Sequence, residues 1–164
     1  MSIRRQSLIA LIVLPVALAA CAPVWSPLRL TEGTADPASL LDEREILAFR
    51  QRIHAFYQRL VRRRFNTLET FNDAKLRDAF RSIDLFFDYY ADLAQGLAAA
   101  DFEKSRPETA TVLDFIFDDE RNARVLVRFA GKNGRPLRYG TVYLDRTDRW
   151  ERAEERWWVT PERL

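Results

Sequence analysis

The chain changes its hydrophobic rhythm as it runs, and the changes divide it into an apolar leader, a helical half and a sheet half. Residues 8–20 form an almost unbroken apolar run behind a short polar start that carries Arg4 and Arg5. From 22 to 38 no period is sustained, and Pro23, Pro27, Gly33 and Pro37 give the stretch a linker composition. Ile46, Phe49, Ile53, Phe56 and Leu60 then recur at spacings of three and four. That spacing predicts an amphipathic helix from about 42 to 64 with one core-facing side. Asp42 and Glu45 stand at the spacing of a capping box at its start.

Phe65, Leu68 and Phe71 predict a shorter helix ending at Asn72-Asp73, itself a new cap. Leu76, Phe80, Ile83, Phe86, Phe87, Tyr90, Leu93 and Leu97 continue as an aromatic-rich stripe, as one helix or as two with a break and cap at Ser82. Gly96 weakens its last turn. After Arg106-Pro107 the period drops to two. Residues 109–118 place Leu113, Phe115 and Phe117 on one face and Val112, Asp114 and Ile116 on the other, and 123–129 alternate more cleanly. Residues 119–122 suit a tight antiparallel turn, and Asn133-Gly134 predicts a type I′ hairpin. A strand from 137 to 144 follows, continuing bent or bulged to 152, then a turn at 153–155 and a last strand at 156–160. The predicted class is α+β: N-terminal amphipathic helices packed on a C-terminal four-stranded antiparallel curved sheet, a single domain over 39–164.

The leader has the positive start, apolar middle and small-residue exit of a signal peptide. It is shorter than the roughly 20 apolar residues a spanning helix needs, and Pro15 interrupts it. Leu18-Ala19-Ala20-Cys21 resembles the lipobox of bacterial lipoproteins. The resemblance implies cleavage between Ala20 and Cys21, acylation of Cys21 and anchoring of the chain to the bilayer through it. Residues 1–20 are then the signal peptide and 21–38 a lipidated tether facing the periplasm. Ala22 in place of Asp implies the outer membrane, by the sorting pattern of enteric lipoproteins. Two or more acyl chains on one residue hold a protein stably, where one holds it only marginally.

The helical half followed by a meander is similar to the nuclear transport factor 2-like, cone-shaped α+β superfamily. The likeness rests on residues 64–73, RFNTLETFND, and on the closing hairpin from Arg149-Trp150 through Trp157-Trp158. Glu154-Glu155 departs from the Asp-Gly usual in that hairpin. The resemblance implies a space between sheet and helices that in some members binds or isomerises small molecules.

Charge narrows the partners. Without Arg4 and Arg5 the chain keeps 24 basic side chains against 24 acidic ones, which removes the electrostatic support for nucleic-acid binding. Cys21 is the only cysteine, so an acylated chain has no thiol for a disulfide, a nucleophile or a metal ligand. His54, the only histidine, lies beside the apolar stripe and reads as structural. Asp114 and Asp118-Asp119-Glu120 read as solvated carboxylates. Asp84, Asp88 and Asp92 form a row on the polar side of a helix, lacking the loop carbonyls that calcium uses. Arg62-Arg63-Arg64 suits a helix C-terminus and could also meet anionic head groups or an acidic partner. No catalytic, cofactor or metal set is legible. The expectation is a membrane-tethered, non-enzymatic binding or adaptor domain, with an envelope protein or a second copy as partner. The alternative is an isomerase- or dehydratase-like cone fold with an apolar pocket.

Overall fold

Helix α1, Glu43–Arg62, forms over the predicted stripe: Phe49, Ile53, Phe56 and Leu60 are buried, and Tyr57 joins them. The computed structural model describes residues 41–161, so the leader, Ala20, Cys21, Trp25 and the tether lie outside it. The capping box does not form. The Asp42 side chain accepts no capping hydrogen bond, and Glu45 pairs instead with Arg152 of the sheet. A guanidinium offers a carboxylate more than a neutral amide does, so the ion pair wins. Past the helix end, Arg64 and Asn66 take positive φ (53° and 63°). The reversal around them seats Phe65 in the core, its ring centroid 4.6 Å from that of Tyr90.

Three side-chain caps then set the next helices. Thr67 accepts from the Thr70 amide and opens α2, Leu68–Phe71, and Asp73 accepts from Lys75 and Leu76 and opens α3, Ala74–Arg77. Ser82 accepts from Leu85 and opens α4, Ile83–Ala99. The aromatic stripe is therefore broken at Ser82, with Phe86, Tyr89, Leu93 and Leu97 as the buried face of α4. Gly96 stays within α4, where a Cβ would lie 3.4 Å from Leu144 of the sheet.

Strands β1 (Thr109–Phe117), β2 (Asn122–Lys132), β3 (Thr141–Ala153) and β4 (Arg156–Thr160) form one antiparallel sheet in chain order. Two expectations fail here, each for a local reason. Val112 pairs with Val127 but Asp114 with Leu126, so Leu113 is an inserted bulge residue. One extra residue exchanges the faces of a strand. Ala110 and Val112 therefore pack on the core with Phe115, while Leu113 stands exposed.

The second concerns the turns. Asn133-Gly134 does not make a two-residue hairpin; β2 and β3 are joined by the longer loop 133–140, and β3 begins at Thr141 rather than 137. Gly134 instead lets two backbones meet: its amide donates to Asp101 O at 2.7 Å, and a Cβ would sit 3.0 Å from Glu103 Cα. The two-residue turn with positive φ at both positions is Glu154-Glu155 (53° and 59°).

The helices cover the inner face of the sheet. The Phe49 ring meets Phe115, Phe117, Trp150 and Trp157 with centroids 5.6, 5.2, 5.9 and 4.6 Å away, mostly tilted or edge-on as the ring quadrupole favours. Trp150 and Trp157 are thus core residues, while Trp158 is half-buried beneath the Arg156 guanidinium.

Glutamates are poor occupants of a left-handed pair that Asn-Gly fills without strain. The double substitution Glu154→Asn, Glu155→Gly should raise stability by about 1 kcal/mol. An increased urea midpoint with an unchanged slope is the expected readout.

Candidate functional site

Period-two alternation along β3 turns Val142, Leu144, Arg146, Asp148 and Trp150 toward the helices. Two ionisable residues therefore enter the layer between helices and sheet. Asp148 is 3% exposed. Its Oδ2 accepts from Tyr57 Oη of α1 at 2.7 Å and from Tyr89 Oη of α4 at 2.8 Å. Its Oδ1 accepts from Arg146 Nε, and Arg146 Nη1 reaches Asp92 Oδ2 of α4 at 2.5 Å. The Arg146 guanidinium also lies 4.7 Å from the Tyr89 ring centroid. One carboxylate thereby ties both long helices to the third strand.

The electrostatics follow from burial. Burial, and after it the Asp148 charge, pushes the Tyr57 and Tyr89 hydroxyls well above the ordinary tyrosine value. Burial alone would lower Arg146, but Asp148 and then Tyr89 and Asp92 more than offset it, and the guanidinium is held cationic. Tyrosine and aspartate in an apolar layer are the groups from which acid–base sites are made. Here they face one another: three donors occupy the Asp148 oxygens. The buried Trp150 Nε1 makes no hydrogen bond of ordinary geometry, although it lies close enough to the Tyr57 hydroxyl to act on it.

Open space lies elsewhere. A groove of about 890 Å³ runs along the outer side of α1 against α3, floored by Ala48, Ala55 and Ala79 and edged by Arg52, Arg59, Arg62, Arg63, Lys75 and Asp78. A smaller cavity of about 420 Å³ is lined by Arg64, Lys104, Arg106 and Lys132 with Glu103 and Glu108. Neither is lined by Tyr57, Tyr89 or Asp148.

The structure divides the basic run 62–64. Arg63 and Arg59 both pair with Asp73, at 3.2 and 2.8 Å, while Arg62 is exposed on the groove wall. The Asp73 side chain is 3% exposed. Burial opposes its charge, but Arg59 and the Leu76 and Lys75 amides together hold it below the usual carboxylate range. Asp92 is not part of a solvated row, because it pairs with Arg146; Asp84 and Asp88 remain exposed. Asp118 pairs with Arg124, Asp119 caps its own turn, and Asp114 accepts from the Phe115 amide. His54 is half-buried on α1. No group of three or more His, Cys, Asp or Glu is gathered for a metal among the described residues. Tyr57, Tyr89, Arg146 and Asp148 do not stand out as a set in the sequence; the unbroken alternation of faces from 142 to 150 is the signal that places Arg146 and Asp148 on the core side.

No family model, curated protein or solved structure matches the chain.

Removing Asp148 strands a buried guanidinium and two hydroxyls, so Asp148→Ala should lose about 3–5 kcal/mol of folding free energy. The tyrosines add a pH dependence. Their folded-state pKa values lie above the unfolded ones, so their contribution is complete below about pH 10 and is lost as pH rises through the folded values. Urea midpoints should therefore fall on alkalinisation. Tyr89→Phe should show a lower midpoint at neutral pH and a shallower alkaline fall.

Proposed function

We propose that the chain is a lipoprotein, held at a membrane through Cys21, whose globular domain is a non-enzymatic binding or adaptor module facing the periplasm. The observation that carries the non-enzymatic part is the filled interior. The layer where the cone-fold resemblance would put a pocket is packed with aromatic rings, and its tyrosine and arginine donors are spent on Asp148. A small-molecule site needs several hundred Å³ with polar groups converging on it. The two grooves described above lie on the surface, and among their charged side chains the basic ones outnumber the acidic.

The groove along α1 fits an acidic segment of an envelope partner. Its alanine floor admits close approach of a chain, and Arg62 and Lys75 are exposed along its edge. The helices-then-meander order agrees with the cone-shaped superfamily, which supports an adaptor as readily as an enzyme because function lies in sites rather than folds. The outer membrane is the location that Ala22 after Cys21 favours.

Intact mass and membrane fractionation of wild type beside Cys21→Ala test the anchor. Wild type should show the mass of a chain cleaved before Cys21 plus acyl chains and should sediment with membranes, and the variant should lack the acyl mass. Unmodified, soluble wild type would sink the reading. For the adaptor part, Arg62→Glu should keep its urea midpoint yet lose crosslinked partner from a probe at Gln58.

A further inference from the structure

The loop between β2 and β3 is built unlike the rest of the surface. Residues 134–140 are all exposed, with Leu137 at 92% and Tyr139 at 97%. Leu137 also takes φ +61°, a conformation a bulky side chain adopts only under strain. Folding gains nothing from a leucine there, since glycine would relieve the backbone and no packing would be lost. Arg135 precedes the two apolar side chains and Arg138 lies between them, and the Arg138 amide donates to Arg135 O at 3.2 Å, closing a turn that presents the tip.

The surroundings of the tip are basic. Asn133 bridges to Phe102, Gly134 is bonded to Asp101, and Asn66 bonds to Lys104 O and Arg106. These links bring the end of α1, the 101–108 connection and the loop to one end of the domain. Arg64, Lys104, Arg106, Lys132, Arg135 and Arg138 gather there against Asp101, Glu103 and Glu108. Arg106 Nε is buried and has no hydrogen-bond partner. The Arg106 side chain lines the 420 Å³ cavity.

We propose that this end of the domain is a second membrane contact, with Leu137 and Tyr139 entering the headgroup layer of an anionic bilayer and the surrounding arginines and lysines meeting its phosphates. Tyrosine and leucine beside arginine is the chemistry of a membrane interface, where an apolar body and a polar or charged tip are both accommodated. Basic side chains near an anionic lipid surface add attraction that salt screens. The chain length permits the pose. Nineteen residues separate Cys21 from Leu41, and at up to ~3.3 Å each they can span about 60 Å. The 20-residue α1 is about 30 Å long, so the tether can reach past it and let the far end turn to the membrane.

The proposal rests on the tethered reading, and the test keeps the two apart. The chain from Cys21 onward is coupled through its sole thiol to maleimide lipid in vesicles, so that the tether exists whether or not Cys21 is acylated in the cell. Amide hydrogen exchange is then compared on phosphatidylglycerol-rich and on phosphatidylcholine vesicles. Exchange across 134–140 should be several-fold slower on the anionic vesicles, less so at high salt, with the 118–122 turn unchanged. The double substitution Leu137→Gly, Tyr139→Ser should abolish that protection while its urea midpoint stays at or above that of wild type. Equal exchange on both vesicles would overturn the proposal, as would protection that survives the double substitution. Protection that appears on either lipid only at high surface density would mean that copies of the chain pair through the loop, and would also overturn it.

Discussion

Asp148 holds a carboxylate between two helices and a sheet, where an unpaired charge could not stay. Desolvating it is tolerable only because Tyr57, Tyr89 and Arg146 each donate to it, and they come from α1, α4 and β3. The arrangement is demanding in all three directions. If β3 shifted by one residue, Asp148 and Arg146 would turn to the outer face and two tyrosines would be buried without acceptors. The aromatic packing of Phe49 and Phe56 on Trp150 fixes roughly how far apart the layers lie. The ionic cluster selects which register fills that space. A buried cluster of this kind is a weak source of net stability and a strong discriminator among alternatives, because one wrong pairing leaves several groups unsatisfied at once.

The helical half was legible because its signals are local. The α1 stripe, the Asp73 cap and the Ser82 break are each set by residues within a turn of one another. In the sheet, strand existence followed from the period of two, but facing did not. Leu113 is one residue too many opposite β2, and nothing in 109–117 taken alone marks which residue bulges. The turns at 119–122 and 153–155 were legible, but the one at 133–134 was misjudged, because Asn133-Gly134 carries the composition of a type I′ turn while serving a close backbone approach to Glu103, a contact some 30 residues distant in sequence. Glu154-Glu155 adopts the left-handed pair with residues that no turn preference favours, because Arg149–Ala153 and Arg156–Thr160 pair as strands up to both sides of it. The candidate site was the least legible part. Asp92 read as one of a solvated row and Asp148 carried no signal of its own, because Tyr57 and Tyr89, which bind Asp148, and Arg146, which pairs with Asp92, lie on other elements than the carboxylates they meet.

Strain is not spread evenly. Besides the hairpin turn at 154–155, the non-glycine residues with positive φ among the described residues are Arg64, Asn66, Asp101, Lys104, Ser105 and Leu137. All six belong to the end of the domain where α1 stops, the 101–108 connection passes and the β2–β3 loop projects. Three of them have evident structural returns: the reversal around Arg64 and Asn66 buries Phe65, and Asp101 accepts the Gly134 amide. Leu137 has none, since its side chain meets water.

That contrast bears on where function resides in this fold. The layer between helices and sheet is filled by aromatic rings, and Tyr57, Tyr89 and Arg146 all donate to Asp148, so the open space among the described residues lies at the surface. Surface recognition needs side chains that folding does not use. In α1 the distinction runs along one helix: Arg59 and Arg63 are committed to Asp73, whereas Arg62 between them stands exposed. In the β2–β3 loop it is sharper, because Leu137 carries strain that folding would be better without. Residues kept against the interest of folding are the ones a binding surface would require, and Leu137 stands at the end of the domain where α1 stops.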